Sequence, residues 1–273
     1  YKLFYNLSQI MESRYISFMK NLIHYAMSII IFTFYNMSFA IAESDMGPSQ
    51  SGSQFSIGFA YINGDSIYSD GETKSRLVPY LSFESERIRV SVQEGLTYQL
   101  ITKSDLSFDV SLSPNFKPYD GQDAPSLAGM KREMTFDASV SSSYKLARGL
   151  TAKIKLLTEV TNEFNGSAAD LSISQFIPIS GIPVIFKAGS SWYDENRAKY
   201  FYGVYNSETT DLRQQYNPGT VFIPYLAVSS FYSLTSKASL FGTVSTTMFP
   251  DEIASSPVVE KELSVNIMVG MGY

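Results

Sequence analysis

From Leu263 to Tyr273 the side chains alternate without a break. Leu263, Val265, Ile267, Val269, Met271 and Tyr273 occupy one parity, and Ser264, Asn266, Met268, Gly270 and Gly272 the other. Successive residues of a strand point to opposite faces, so this segment folds as a strand with one apolar face and one small or polar face. A strand of about 9–11 residues crosses a bilayer at the tilt of a barrel. An apolar wall on hydrocarbon with a polar inside is the arrangement that such a pattern specifies.

The same period recurs along the chain. Phe55, Ile57, Phe59 and Tyr61 alternate with Ser56, Gly58 and Ala60, and Leu106, Phe108, Val110 and Leu112 with Ser107, Asp109, Ser111 and Ser113. Phe136, Ala138, Val140 and Tyr144 share a face, as do Leu150, Ala152, Ile154, Leu156 and Val160, and later Ala238, Leu240, Val244 and Met248. After residue 42 no helical period competes with these and no run of 18 apolar residues occurs, which excludes a helical bundle in the membrane. Charged residues make up only 17% of the chain, below the share near 25% of soluble domains. The expected fold is all-β: a transmembrane antiparallel up-and-down β-barrel of about twelve strands.

The first 42 residues read differently. Met19-Lys20 opens a short basic stretch, an apolar core runs from Ala26 to Tyr35, and Ala40-Ile41-Ala42 closes it with small residues. That order is an export signal with a cleavage site before Glu43. Residues 1–42 are therefore expected to be an N-terminal extension and signal peptide, and 43–273 the barrel. Removing Lys2, Arg14, Lys20 and Glu12 from 21 basic and 26 acidic residues leaves 18 and 25, a net charge of −7. An acidic chain with no basic tract is a poor nucleic-acid binder.

The chain has no Cys, and its one histidine, His24, falls in the signal segment. Thiolate zinc sites, cysteine nucleophiles and His-assisted hydrolysis are thereby removed from the mature chain. No catalytic, metal or cofactor motif is present, and the expectation is a protein that is not an enzyme.

Connections alternate in length, as the topology requires. Ser85-Glu86 and Ala147-Arg148-Gly149 are short turns for the periplasmic side, while Asn63–Thr73, Pro114–Met130, Tyr205–Pro218 and Pro250–Pro257 are long and suit the outside. Glu94 falls on the apolar parity of Ile88–Leu100, where a lipid-facing acid is penalised. A turn or bulge at Gln93–Gly95 removes the conflict; a single long strand there would reduce the count to ten.

On the polar face, Arg87, Arg89, Asp109, Asp137, Lys153, Lys155 and Glu159 are the candidate lumen charges. They select solutes by charge in a channel, or they pair internally and fill a narrow barrel. Buried charges normally pair, which favours the second. Trp192, Tyr193, Tyr200, Phe201, Tyr202 and Tyr205, with Tyr225, Phe231 and Tyr232, fit an interfacial aromatic girdle better than a ligand-stacking patch. Asp65, Asp70, Glu72, Asp120 and Asp123, in the surface loops, have the chemistry to bind a divalent cation or to bridge lipopolysaccharide, but they lack the spacing of a calcium loop and read as solvated loop acids.

Four short motifs, taken in order, resemble the MipA/OmpV family of outer-membrane proteins. They are Val78-Pro79-Tyr80, Leu127-Ala128-Gly129-Met130, Tyr200-Phe201-Tyr202-Gly203-Val204 and Ser256-Pro257-Val258-Val259, followed by the terminal aromatic Tyr273. The resemblance covers residues 54–273. It implies a barrel in the bacterial outer membrane, in contact with its lipid and lipopolysaccharide. It also implies a scaffold for a murein-cleaving lytic transglycosylase and a murein synthase, or a surface adhesin, with no catalytic residue to carry over. A small-solute diffusion channel is the alternative that the residues themselves leave open. The chain departs from the family pattern where glycine-rich and Arg-containing central strands are replaced by Ser and Thr.

Overall fold

The structure, a computed structural model, describes residues 53–69, 74–122, 124–211 and 213–273. The segment read as a signal peptide lies outside the described residues. Twelve strands follow in order: β1 (Gln54–Gly64), β2 (Lys74–Glu84), β3 (Ile88–Ser91), β4 (Gly95–Lys103), β5 (Leu106–Asn115), β6 (Thr135–Ala147), β7 (Leu150–Glu159), β8 (Ser167–Ile179), β9 (Ile182–Tyr193), β10 (Val221–Ser233), β11 (Ser239–Met248) and β12 (Leu263–Gly272). Each pairs antiparallel with its sequence neighbours, and β1 pairs with β12, so the sheet closes.

The parity expected from sequence is the parity of the wall. Phe55, Ile57, Phe59 and Tyr61 on β1 face Phe83, Leu81, Pro79 and Leu77 across the ladder, and most of this row is exposed on the outer surface. The opposite parity carries Asp109, Ser139, Ser141 and Ser172, all buried inside. Side chains that would be costly in hydrocarbon are thus enclosed, and apolar ones are left for lipid.

Closure depends on small residues at the seam. Ile57 and Tyr273 exchange both backbone hydrogen bonds, at 2.9 and 2.8 Å. Beside them, a Cβ on Gly58 would stand 1.7 Å from the Met271 carbonyl oxygen. Inside the seam the rings of Tyr80 and Phe241 pack at 4.6 Å, where a Cβ on Gly270 would meet Phe241 at 2.3 Å. Glycines let the two ends of the sheet meet under an aromatic pair.

The stretch around Glu94 is not one long strand. β3 has four residues, a turn covers Val92–Glu94, and Gly95 begins β4 with φ +76°. The turn takes Glu94 off the lipid face and keeps the count at twelve. Two helices were not expected: α1 (Glu195–Tyr202) and α2 (Asp251–Ala254). Helices of eight residues or fewer are too short to register as a period. A local signal was nonetheless present in Asp194, whose side chain caps α1 by accepting from Arg197 N–H.

The hydrophobic core lies in the long connections rather than in the wall. Ile67 and Tyr68 from the β1–β2 loop, Leu127 and Met130 from β5–β6, Ala198, Tyr202 and Val204 from β9–β10, and Ile253 and Val258 from β11–β12 form one buried cluster. It also takes in Val221 and Ile223, at the start of β10.

Candidate functional site

Connections β1–β2, β5–β6 and β9–β10 leave the ring of twelve strands at intervals of a third of its circumference. Loops that start so far apart and touch one another must cross the mouth. They do touch: Tyr68 Oη donates to the Phe201 carbonyl at 3.1 Å, and the Tyr68 and Tyr119 rings meet edge-on at 4.7 Å. The β7–β8 loop joins them through Phe164, stacked on Tyr200 at 4.4 Å. The result is a lid over the long-loop end of the barrel, which is the extracellular end in proteins of this architecture.

Three buried arginines staple the lid. Arg132 donates to the carbonyls of Tyr200 at 2.6 Å and Gly203 at 3.4 Å, and makes a two-pronged ion pair with Glu208 at 2.5 and 3.1 Å. The rings of Tyr119, Tyr200 and Tyr205 lie 5.0 to 5.4 Å from its guanidinium. Arg213 donates to the carbonyls of Ser126, Ala128 and Glu208, joining two loops. Arg197, on α1, forms a bidentate pair with Asp137 on β6 at 3.0 and 2.7 Å and also reaches Asn115 at 3.3 Å. Both side chains of the Arg197–Asp137 pair are about 5% exposed or less. Planar guanidiniums suit this role because they satisfy several carbonyls in a fixed fork.

Burial pushes the phenols of the lid up from their ordinary range. Tyr68 and Tyr202 are raised well above it, and Tyr200 is raised to about 12. On the outer surface Glu133 is held below the usual carboxylate range by hydrogen bonds from Lys131 and Lys117.

The family-motif residues converge here. Ser256 Oγ donates to the Tyr202 carbonyl at 2.6 Å. Gly203 closes α1, where a Cβ would come within 2.7 Å of the Lys199 carbonyl. Val204 is wholly buried and bridges Tyr216. Gly129, at φ +79°, turns the chain between the buried Leu127 and Met130, and Pro257 sits exposed between the buried Ser256 and Val258. Pro79 and Tyr273 stand apart, on the wall.

The candidate lumen charges fall into separate groups. Asp137 and Glu159 are cross-strand partners at the lid end, but they do different work. Asp137 holds Arg197, whereas Glu159 accepts backbone N–H groups from Thr161, Phe164 and Asn165 and so folds the β7–β8 loop. Arg89 pairs with Asp109 inside the barrel at 3.4 Å. Lys153 and Lys155 share the inner face, within electrostatic reach of one another, with Asp137, Glu94 and Asp170 around Lys155. Arg87 lies in the exposed turn between β2 and β3.

The girdle reading is corrected for most of its aromatics. Tyr200, Phe201, Tyr202 and Tyr205 belong to the lid, with Tyr200 and Tyr202 buried, because α1 carries them over the mouth. Tyr225 is on the inner face, donating to Asp170 at 3.0 Å and resting against Gly189. Phe231 opposes Phe241, also inside. Arg132, Arg197, Arg213 and Glu208, absent from the sequence-based set, lie in the long connections, Arg197 on α1, and nothing local marks them as the staples of a lid. Asp70, Glu72 and Asp123 lie outside the described residues. Among the described residues no group of His, Cys, Asp or Glu is disposed to hold a metal ion.

Comparison with known proteins gives a family match over residues 57–273, to the MltA-interacting protein MipA family. The MltA-interacting protein of Escherichia coli K12 is 28% identical over 237 residues, covering 85% of this chain and 95% of that protein. Outer membrane protein OmpV of Vibrio cholerae is 25% identical over 169 residues, 61% of this chain and 65% of its own. Among solved structures, the toluene transporter TodX of Pseudomonas putida aligns with a TM-score of 0.37 at 11% identity, over 82% of this chain and 90% of that one.

Proposed function

Because this chain belongs to the MltA-interacting protein MipA family of outer-membrane β-barrels, we propose that it is a non-enzymatic scaffold of the outer membrane. Its short-turn face docks a lytic transglycosylase, and through it a murein synthase. The observation that carries the reading is the lid: loops from around the ring pack into one buried core across the extracellular mouth. A barrel built to pass solutes needs an open axis. One whose work lies at its other end can afford to be sealed above.

The docking face consists of the turns at 85–87, 104–105, 148–149, 180–181 and 234–238. They carry Glu86, Arg87, Asp105, Arg148 and Lys237, a mixed polar surface suited to a reversible contact. The name of the Escherichia coli relative supports the choice of partner. Affinity capture from a cell envelope with the full-length barrel should enrich a lytic transglycosylase, and grafting the five turns from an unrelated barrel should abolish this. Capture that never enriches a murein enzyme overturns the scaffold. Stepwise conductance in planar bilayers would instead restore the channel.

A further inference from the structure

The wall is complete at the short-turn end but not at the lid end. β2 pairs with β1 along its whole length, from Lys74 to Glu84, yet with β3 only over Ser82–Glu84. On the far side, β5 pairs with β6 as far as Asn115 but with β4 only as far as Leu112. The β3–β4 hairpin turns back at Val92–Glu94, well below the rim, and Val92 N–H reaches the Leu81 carbonyl at 3.4 Å as the last bond across. Above that point seven residues of β2, about 23 Å at the usual strand rise, have no strand beside them among the described residues. A notch opens in the wall between β2 and β5, floored by the turn.

Both edges of the notch are blocked against pairing by proline. Backbone groups along an antiparallel strand face its two neighbours alternately. Leu81 directs its carbonyl toward β3, so Pro79, two residues earlier, directs its N–H-less nitrogen to the same free side. On β5, Asp105 bonds Lys145 on the β6 side, and the register runs unbroken to Asn115. The even residues, Pro114 included, therefore face the gap. Proline is confined to such edges because it cannot donate to a ladder. Arg76, on the lumen parity opposite Ile62, is exposed, as an open wall requires.

The surroundings of the notch suit one kind of visitor. Its outer rim is apolar, with Leu77 and Leu81 on one side and Leu96 and Leu112 on the other, all well exposed. A hollow of about 730 Å³ begins at Leu96, Tyr98 and Leu112 and runs over Ala138 and Ala169 to Trp192 on the outer wall. Inside, Asp109 is taken by Arg89, and Asp170 accepts from Ser191 and Tyr225. Lys155 has the carboxylates of Asp137, Glu94 and Asp170 around it, Asp137 being already held by Arg197, and neither Lys153 nor Lys155 makes an ion pair among the described residues.

We propose that the notch between β2 and β5 is a lateral binding site for a single-chain amphiphile with an anionic head, of the fatty-acid class. Its tail lies in the outer-wall hollow and its carboxylate reaches Lys153 and Lys155 from the outer leaflet. With the mouth capped by the lid, the membrane is the side from which the lumen is approached. This goes beyond the scaffold reading and stands independently of it.

The test uses the full barrel in phosphatidylcholine nanodiscs and a spin-labelled stearic acid. The acid should show saturable immobilisation, with affinity about tenfold above its methyl ester. The Lys153→Gln/Lys155→Gln variant should erase that difference, and Glu94→Gln should tighten binding by removing a like charge. The chain has no native cysteine, so a fluorophore on Leu77→Cys, at the notch, or on Val244→Cys, three strands from β2 on the side away from the notch, reports location. Saturable quenching at Leu77→Cys alone supports the notch. Equal quenching at both positions, or equal binding of acid and ester, overturns it. Heat-modifiable mobility confirms that each variant has folded, and Lys155→Gln alone replaces the double variant if that one does not fold.

Discussion

Ser256 Oγ lies 2.6 Å from the carbonyl oxygen of Tyr202 and donates to it, joining the loop before the last strand to the helix between β9 and β10. Both groups are buried, so neither has water as an alternative partner. Ser256→Ala leaves the Tyr202 carbonyl without this donor and should cost about 1–2 kcal/mol. The loss should appear as faster amide exchange in α1 and in residues 249–262, with the strands unchanged. Unaltered exchange in the loops would show that the contact contributes nothing.

The Asp137–Arg197 pair ties the lid to the wall. Removing the cation alone strands a buried carboxylate, and Arg197→Met should destabilise the lid by about 3–5 kcal/mol. Adding Asp137→Asn should recover much of that loss, because the uncompensated charge is gone. Limited proteolysis of the β9–β10 loop reads the effect directly, and a double variant as sensitive as the single one would contradict it.

Alkali should open the lid before it opens the barrel. The phenols of Tyr68, Tyr200 and Tyr202 lose protons less readily in the folded lid than in an unfolded chain, whose tyrosines titrate near pH 10. A raised folded value means that their contribution is intact below about pH 10 and is lost as the pH climbs toward and past it. Loop protection should therefore be flat from neutrality to about pH 10 and fall above it, with tyrosinate absorbance rising in step. Loss of protection already at pH 8 would point to a different group.

Seam closure tolerates no side chain at Gly58. A Cβ there meets the Met271 carbonyl oxygen at 1.7 Å and its carbon at 2.8 Å, both backbone atoms that cannot swing aside. Gly58→Ala should cost at least about 3 kcal/mol and abolish the compact, heat-modifiable form on gels. Gly242→Ala is the matched control, since its nearest neighbour would be 3.6 Å away.

The wall was legible because its rule is local. Period-2 alternation follows from neighbouring residues alone, and the charge of Glu94 on an apolar parity was enough to locate the turn that shortens β3. The lid was not legible, because its bonds join residues far apart: 60 positions between Asp137 and Arg197, 76 between Arg132 and Glu208, 87 between Ser126 and Arg213. The run Tyr200–Tyr205 carried an aromatic signal of ambiguous meaning, since rings gather at a membrane interface and in a buried core alike. What separates the two is the helix that Asp194 caps, and eight residues do not announce a helix by periodicity. The notch was half visible: Pro79 and Pro114 were in plain view, but only the register reveals that they face the same gap.

The cohesive apolar cluster of this molecule stands above the bilayer, while the wall has lipid as its solvent. The two parts therefore answer to different denaturants. Urea, which weakens apolar association in water, should dissolve the loops while leaving the ring of strands intact. Harsh detergent with heat should be needed to take the ring apart. Unfolding followed by loop proteolysis and by strand circular dichroism should give two separate transitions, as if a small water-soluble protein were carried on a lipid-soluble hoop.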